Sequence, residues 1–241
     1  MDTQRKVAPG RVVGLDWSPD GEWLVFHTVS IPRYLFRINV HGDSLVRLSG
    51  ADSPNPDLED TVAGRWSPNG DRILYAVSAG EPRGVSMMNS DGSDARVLIP
   101  YGVMPNWCPD GGSIVYVNWD TTAEEGRCRQ IYRARADGTE IEKLTDLPDS
   151  GVINYPSVPP DGAHIAFIYR AEDQSAEVFL MSADGTNIRQ VTQGPGIARS
   201  PEWHPNGEKI LFERFIPNVS HHLYLLDVET REVKPVFPAD S

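Results

Sequence analysis

Trp17-Ser18-Pro19-Asp20-Gly21 recurs four times, as Trp66-Ser67-Pro68-Asn69-Gly70, Trp107-Cys108-Pro109-Asp110-Gly111, Val158-Pro159-Pro160-Asp161-Gly162 and Trp203-His204-Pro205-Asn206-Gly207. The copies lie 49, 41, 51 and 45 residues apart, so the 241-residue chain is a repeat protein. Each copy encodes a tight reversal. Proline presets φ near −65° at the first corner, and the Asp/Asn-Gly pair supplies the positive φ that follows.

A run dense in β-branched and aromatic residues follows every reversal, at 23–29, 72–77, 113–119, 164–169 and 209–215. A third strand comes next and ends in a second turn signal: His41-Gly42, Asp91-Gly92, Asp137-Gly138 or Asp184-Gly185. A short fourth strand closes the unit. Each repeat therefore reads strand A, W-x-P-D-G turn, strand B, variable loop, strand C, second turn, strand D. The predicted fold class is all-β, a β-propeller of four-stranded antiparallel blades with five blades. One domain covers 1–241, with repeats at 11–49, 60–99, 101–145, 152–192 and 197–237. The repeated Trp is expected to pack between blades. Residues 3–8 resemble the strand D at 187–192, which offers an extra outer strand. A closed five-bladed ring is the expected arrangement. The alternatives are an open arc, or a ring completed by another chain, so the protein is expected to be a monomer or to self-associate through incomplete closure.

The pattern W-S-P-D-G, followed by I-Y-x-x-x-A-D-G and R-x-L-T, resembles the TolB-like, WD-like propeller repeat. Asp137-Gly138 with Leu144-Thr145, and Ala183-Asp184-Gly185 with Val191-Thr192, fit it best. The resemblance spans about residues 11–237. It implies the propeller fold, and it implies several functions, because propellers host unrelated activities. Members include a periplasmic scaffold that binds protein partners, gating domains of prolyl-oligopeptidase-like peptidases, and oligogalacturonate-lyase-like enzymes. Six blades are usual in this family, and repeat four here has Val158 in place of Trp.

Composition narrows the classes. A net charge of −12 argues against nucleic acid and anionic membrane as partners. No run approaches the ~18 apolar residues of a membrane span, so membrane insertion is not expected. The polar start shows no signal peptide. That predicts a cytoplasmic protein if the start is native, and a periplasmic or extracytoplasmic one if a leader was removed. Cys108 and Cys128 fall near opposite ends of one blade and are expected to be free thiols.

The A–B and C–D turns are short and uniform, whereas the B–C and D–A loops are long and dissimilar. Strand alternation puts all the long loops at one end, which is the expected binding face. Candidate residues there are Asp57, Asp60, Trp119, Asp120, Tyr155, Arg199, Arg214 and His222. The face is rich in acids, so a basic peptide or a divalent cation such as calcium is the ligand it suggests. The spacing matches no EF-hand loop, and no cofactor or metal ligand set is assigned. One residue before each W-position, Asp16, Arg65, Asn106, Ser157 and Glu202 form an expected polar collar around the channel. No catalytic motif is present, and no catalytic residue is assigned. The expected function is a non-catalytic scaffold for a protein or peptide. The alternative is a lyase or hydrolase relative, or a gating domain of a prolyl-oligopeptidase-like peptidase.

Overall fold

Five equivalent turns set the architecture. The computed structural model describes residues 10–120, 128–148, 151–171, 175–217 and 220–237. In it the glycine N–H of every W-x-P-[DN]-G copy donates to the carbonyl three residues earlier, from Gly21 to Ser18 through to Gly207 to His204, at 2.8–3.0 Å. Those glycines hold φ between 64° and 78°, the left-handed region that closes such a turn.

The described residues form no helix. The strands in chain order are β1 (Val12–Trp17), β2 (Trp23–Thr28), β3 (Leu35–Asn39) and β4 (Leu45–Arg47); β5 (Thr61–Trp66), β6 (Arg72–Val77), β7 (Gly84–Asn89) and β8 (Arg96–Pro100); β9 (Val103–Trp107), β10 (Ser113–Asp120), β11 (Cys128–Arg135) and β12 (Glu142–Lys143); β13 (Val152–Ser157), β14 (His164–Arg170), β15 (Ala176–Ser182) and β16 (Arg189–Gln190); and β17 (Ile197–Trp203), β18 (Lys209–Ile216), β19 (Ser220–Asp227) and β20 (Val233–Pro235). Each group of four is a sheet in sequence order, the expected blade. A single parallel bridge, Ala176 to Ile197, joins the fourth and fifth. The expected extra strand at 3–8 lies outside the described residues.

The chain divides into two compact units, Met1–Trp107 and Cys108–Ser241. In the first, Trp66 packs with Val25, Leu35 and Leu48 of the preceding sheet. Its backbone N–H donates to Asp16 Oδ2 at 2.7 Å, and Trp107 Nε1 donates to the Arg65 carbonyl at 3.2 Å. In the second unit, Trp203 packs against the core of Ala166, Val178 and Val191, and its Nε1 donates to the Ser157 carbonyl at 3.0 Å. At Trp107 and Trp203 the indole holds neighbouring blades by both packing and a hydrogen bond, whereas Trp66 does so by packing and its backbone N–H. Where Val158 replaces it, a cavity of about 450 Å³ remains, lined by Val158, Cys108, Arg133 and Ile165. Cys108 and Cys128 are free thiols.

The L-T element of the repeat also has a structural purpose. Ser49, Thr145 and Thr192 hydroxyls accept the backbone N–H of Leu35, Ile131 and Val178, each at 2.9 Å. They satisfy strand C where strand D stops pairing.

Strand register defines one apolar layer per blade: Val25, Leu35 and Leu48; Leu74, Val85 and Ile99; Val115, Ile131 and Leu144; Ala166, Val178 and Val191. All twelve are buried. The matching residues of the last blade, Leu211, Leu223 and Val236, are 37%, 39% and 43% exposed. On the first blade, Trp17 is 56% exposed, against 7% for Trp66. Leu211, Leu223 and Val236 of the last blade and Trp17 of the first are therefore exposed apolar side chains.

Strand A is bulged. Gly14, Ala63, Met104, Tyr155 and Ser200 all hold φ between 47° and 63°, each three residues before its W-position. Register slips at the same place in β1, β5, β13 and β17. The extra residue bends the strand and re-aims its side chains.

His27 lies across this bulge in the first blade; a Cβ on Gly14 would fall 2.5 Å from its ring. Burial, reinforced by Arg33 and Arg65, pushes the imidazole down to about 4 from 6.5. The folded state therefore resists a proton that the unfolded chain accepts. Stability is unaffected above pH 6.5, falls as the pH drops from 6.5 toward 4, and levels off below that. Urea midpoints measured across this window should fall for the wild type and stay flatter for His27→Gln. Equal slopes would remove His27 as the cause.

Candidate functional site

The long-loop end of the second unit holds a cavity of about 580 Å³. β10 and β11 supply Trp119 and Arg129, which face each other across the ladder. β13 supplies Val152, Asn154 and the bulged Tyr155, β14 supplies Ile168 and Arg170, and β17 supplies Ile197, Ala198 and Arg199. Every one of these positions lies toward the end of its strand remote from the P-D-G turns, because antiparallel neighbours alternate in direction.

Arg129 organises the site. Its Nη1 donates to Asn154 Oδ1 at 2.8 Å, and its guanidinium lies 4.8 Å from the Trp119 ring centroid. Its Nε is buried and has no hydrogen-bond partner among the described residues. Burial lowers its pKa from the usual arginine value; the Tyr155 phenol opposes that shift and Arg170 adds to it. Arg199 lies 5.7 Å from the Phe215 ring centroid. Trp119 and Tyr155 are each partly exposed, so the mouth offers two aromatic surfaces beside three cations.

Of the expected binding-face residues, Trp119, Tyr155 and Arg199 line this cavity. Asp60, Asp120 and Arg214 are instead turned inward. Asp60 takes a bidentate pair from Arg33 at 2.7 Å and the Ser78 hydroxyl at 2.6 Å, which hold its carboxyl far below the usual range. Asp120 pairs with Lys143 at 2.7 Å, and Arg214 with Glu177 at 2.7 Å. Asp57 stands exposed on the loop before β5. His222 lines a separate depression on the last blade, with His221, Glu213 and Leu211. Glu124, Glu125, Arg127, Asp149, Glu172 and Asp173, which add to the charge of this face in sequence, lie outside the described residues. Among the described residues no group of three metal-ligating side chains could hold an ion. The buried acids Asp60 and Asp120 of the expected acid-rich face are already paired, and the described lining of the cavity carries arginine.

The collar residues are partly absorbed into blade contacts. Asp16 receives the Trp66 N–H, while Arg65 and Ser157 supply carbonyls to the indoles of the following blades. Arg129 and Asn154 are functional candidates beyond those read from the sequence, and Arg170, which the sequence places on this face, joins them in the cavity. The cross-strand pairing Trp119–Arg129 is the signal that would have exposed Arg129.

No family model matches the chain. Over 84% of this chain and 84% of its own length, the protein Atu1656 of Agrobacterium fabrum is 26% identical. The Tol-Pal system protein TolB of Bordetella pertussis is 27% identical over 58% of this chain and 31% of its own. A TolB-type structure from Agrobacterium tumefaciens superposes with a TM-score of 0.80 at 21% identity, covering 97% of this chain and 83% of that one. An Acinetobacter baumannii TolB structure gives 0.75 at 15% identity, over 94% of this chain and 55% of that one. The repeat and the fold are those of TolB-like β-propellers.

Proposed function

We propose that this TolB-like β-propeller is a non-catalytic scaffold that binds a protein or peptide segment on the face formed by its long B–C and D–A loops. The observation that carries the reading is the cavity of about 580 Å³ at that face, with Trp119 and Tyr155 partly exposed at its rim. Aromatic anchors beside arginine are the residue types that dominate protein interfaces. The relatives named as Tol-Pal system proteins support a role in assembly, and with it an extracytoplasmic location. The reading requires no cofactor.

An enzymatic reading has one specific point in its favour. The Bacillus subtilis peptidase YuxL is 32% identical over 114 residues, which are 44% of this chain and 16% of the peptidase. The lining of the cavity holds no Ser, Cys, His, Asp or Glu among the described residues. A catalytic role would therefore be that of a gate for chemistry carried elsewhere.

Peptides selected by display on the wild-type protein test the scaffold reading. Trp119→Ala and Tyr155→Ala should each weaken the selected peptides by about tenfold or more, as interface anchors do. Asn206→Ala, on the opposite turn end, should leave binding intact. Peptides that ignore both loop-face variants, or that are lost with Asn206→Ala, would overturn the assignment of the face.

A further inference from the structure

The long-loop cavity is built for negative charge, in a protein whose own net charge is −12. Three guanidiniums line it, and no carboxylate does among the described residues. Three other cavities of the second unit each contain acids: Asp110 and Asp161, Glu202 and Glu213, or Glu208 and Asp227. Arg129 and Arg170 repel each other without a described counter-ion between them, and the Arg129 Nε is buried without a hydrogen-bond partner among the described residues. Both arginines are half-buried, and like charges that share a partly desolvated site are costly unless something neutralises them. A bound anion would remove that cost.

We propose that Arg129, Arg170 and Arg199 form a carboxylate-binding site, with Trp119 and Tyr155 receiving the carbon skeleton that bears the carboxylate. The planar fork of arginine matches a carboxylate bidentately. Ile168, Ile197 and Val152 form apolar walls that a bare inorganic ion would leave unused, so an organic acid fits the lining better than phosphate. Two sources share this chemistry: the acidic side chains or C-terminus of a peptide, and a free small dicarboxylate. The proposal rests on reading the long-loop face as the binding face, and it reverses the charge expected of the partner.

Calorimetric titration and thermal shift with hexaglutamate, glutarate and inorganic phosphate test it. Binding of hexaglutamate or glutarate should be weakened about tenfold or more by Arg129→Gln and by Arg170→Gln, the loss expected of a hydrogen bond to a charged group. Arg129→Lys should not rescue, because an ammonium lacks the fork. Arg170→Gln should also raise the melting point of the ligand-free protein, since it removes a repulsion; a variant that merely misfolds would lower it. Hexaglutamate without glutarate assigns the site to a peptide, and glutarate alone assigns it to a small acid. Phosphate binding as tight as either, or no binding by any of the three, overturns the proposal. If displayed peptides need Trp119 and Tyr155 but carry no acid and ignore Arg129→Gln, the face is right and the carboxylate is wrong.

Discussion

Arg214→Met is expected to destabilise the second unit by about 3–5 kcal/mol, because it strands a buried carboxylate. Arg214 on β18 and Glu177 on β15 are both almost fully buried, with side chains 4% and 6% exposed. Their contact is bidentate: Nη2 to Oε2 at 2.7 Å and Nη1 to Oε1 at 3.1 Å. Both groups are further satisfied. Thr192 Oγ1 and the Gly194 N–H donate to Glu177 at 2.6 and 3.0 Å, and Arg214 Nη1 also reaches the Pro195 carbonyl at 3.3 Å. The pair therefore fastens the fourth blade to the fifth. Loss of the cation leaves Glu177 charged, desolvated and held only by Thr192 and Gly194. Pairing Arg214→Met with Glu177→Gln should recover a large part of the loss, since the amide oxygen still accepts from the Gly194 N–H, its NH2 can donate to the Thr192 hydroxyl, and it carries no charge. Urea unfolding of the two single variants and the double variant measures the coupling. A loss below about 1 kcal/mol for Arg214→Met would place this pair with ordinary exposed ion pairs and remove its role in blade docking.

That pair also shows where reading by residue type runs out. The sequence puts Arg214 on the binding face, near the long-loop end of its strand, whereas its side chain is buried against Glu177. Its partner lies 37 residues away in another repeat, and nothing local to either residue announces the pairing. The same holds for Arg33 with Asp60, and Lys143 reaches Asp120 across its own blade from 23 residues away. Asp60 and Asp120, acids of the expected face, are committed between blades and across a blade. Turns were legible for the opposite reason: Pro-Asp-Gly dictates φ within three residues. The bulge of strand A was not legible. Ala63, Met104, Tyr155 and Ser200 share no residue type, and their left-handed conformation is imposed by the sheet. Yet that bulge carries Tyr155 into the cavity, so part of the candidate site depends on a feature that only the backbone reveals. Trp119, Tyr155 and Arg199 could be found from loop placement alone. Arg129 needs strand register, because it becomes significant only through Trp119 opposite it, whereas Arg170 falls on the face by loop placement.

Gly185→Ala should cost about 3 kcal/mol, well above what its turn alone would predict. The Asp184-Gly185 turn ends strand C of the fourth blade, and its sequence explains the glycine by φ alone, here +82°. The structure adds a second requirement. A Cβ at this position would lie 2.3 Å from the Leu144 carbonyl oxygen and 3.1 Å from the Leu144 Cα, backbone atoms of the third blade. Backbone cannot rotate aside as a side-chain tip can, so one blade must shift against the other. The left-handed conformation costs an L-residue about 1–2 kcal/mol, and forcing atoms into packed space adds about 1–3 kcal/mol. Gly207 separates the two effects. It holds φ +75° in the A–B turn of the last blade, with nothing within 4 Å of its Cβ position. Gly207→Ala should therefore show only the conformational part, about 1–2 kcal/mol. Urea unfolding of the two variants side by side gives the difference directly. Equal losses would mean that blades three and four do not approach at this turn as closely as Gly185 implies. A larger loss at Gly185 would identify backbone contact between blades as the reason that this turn needs glycine rather than asparagine.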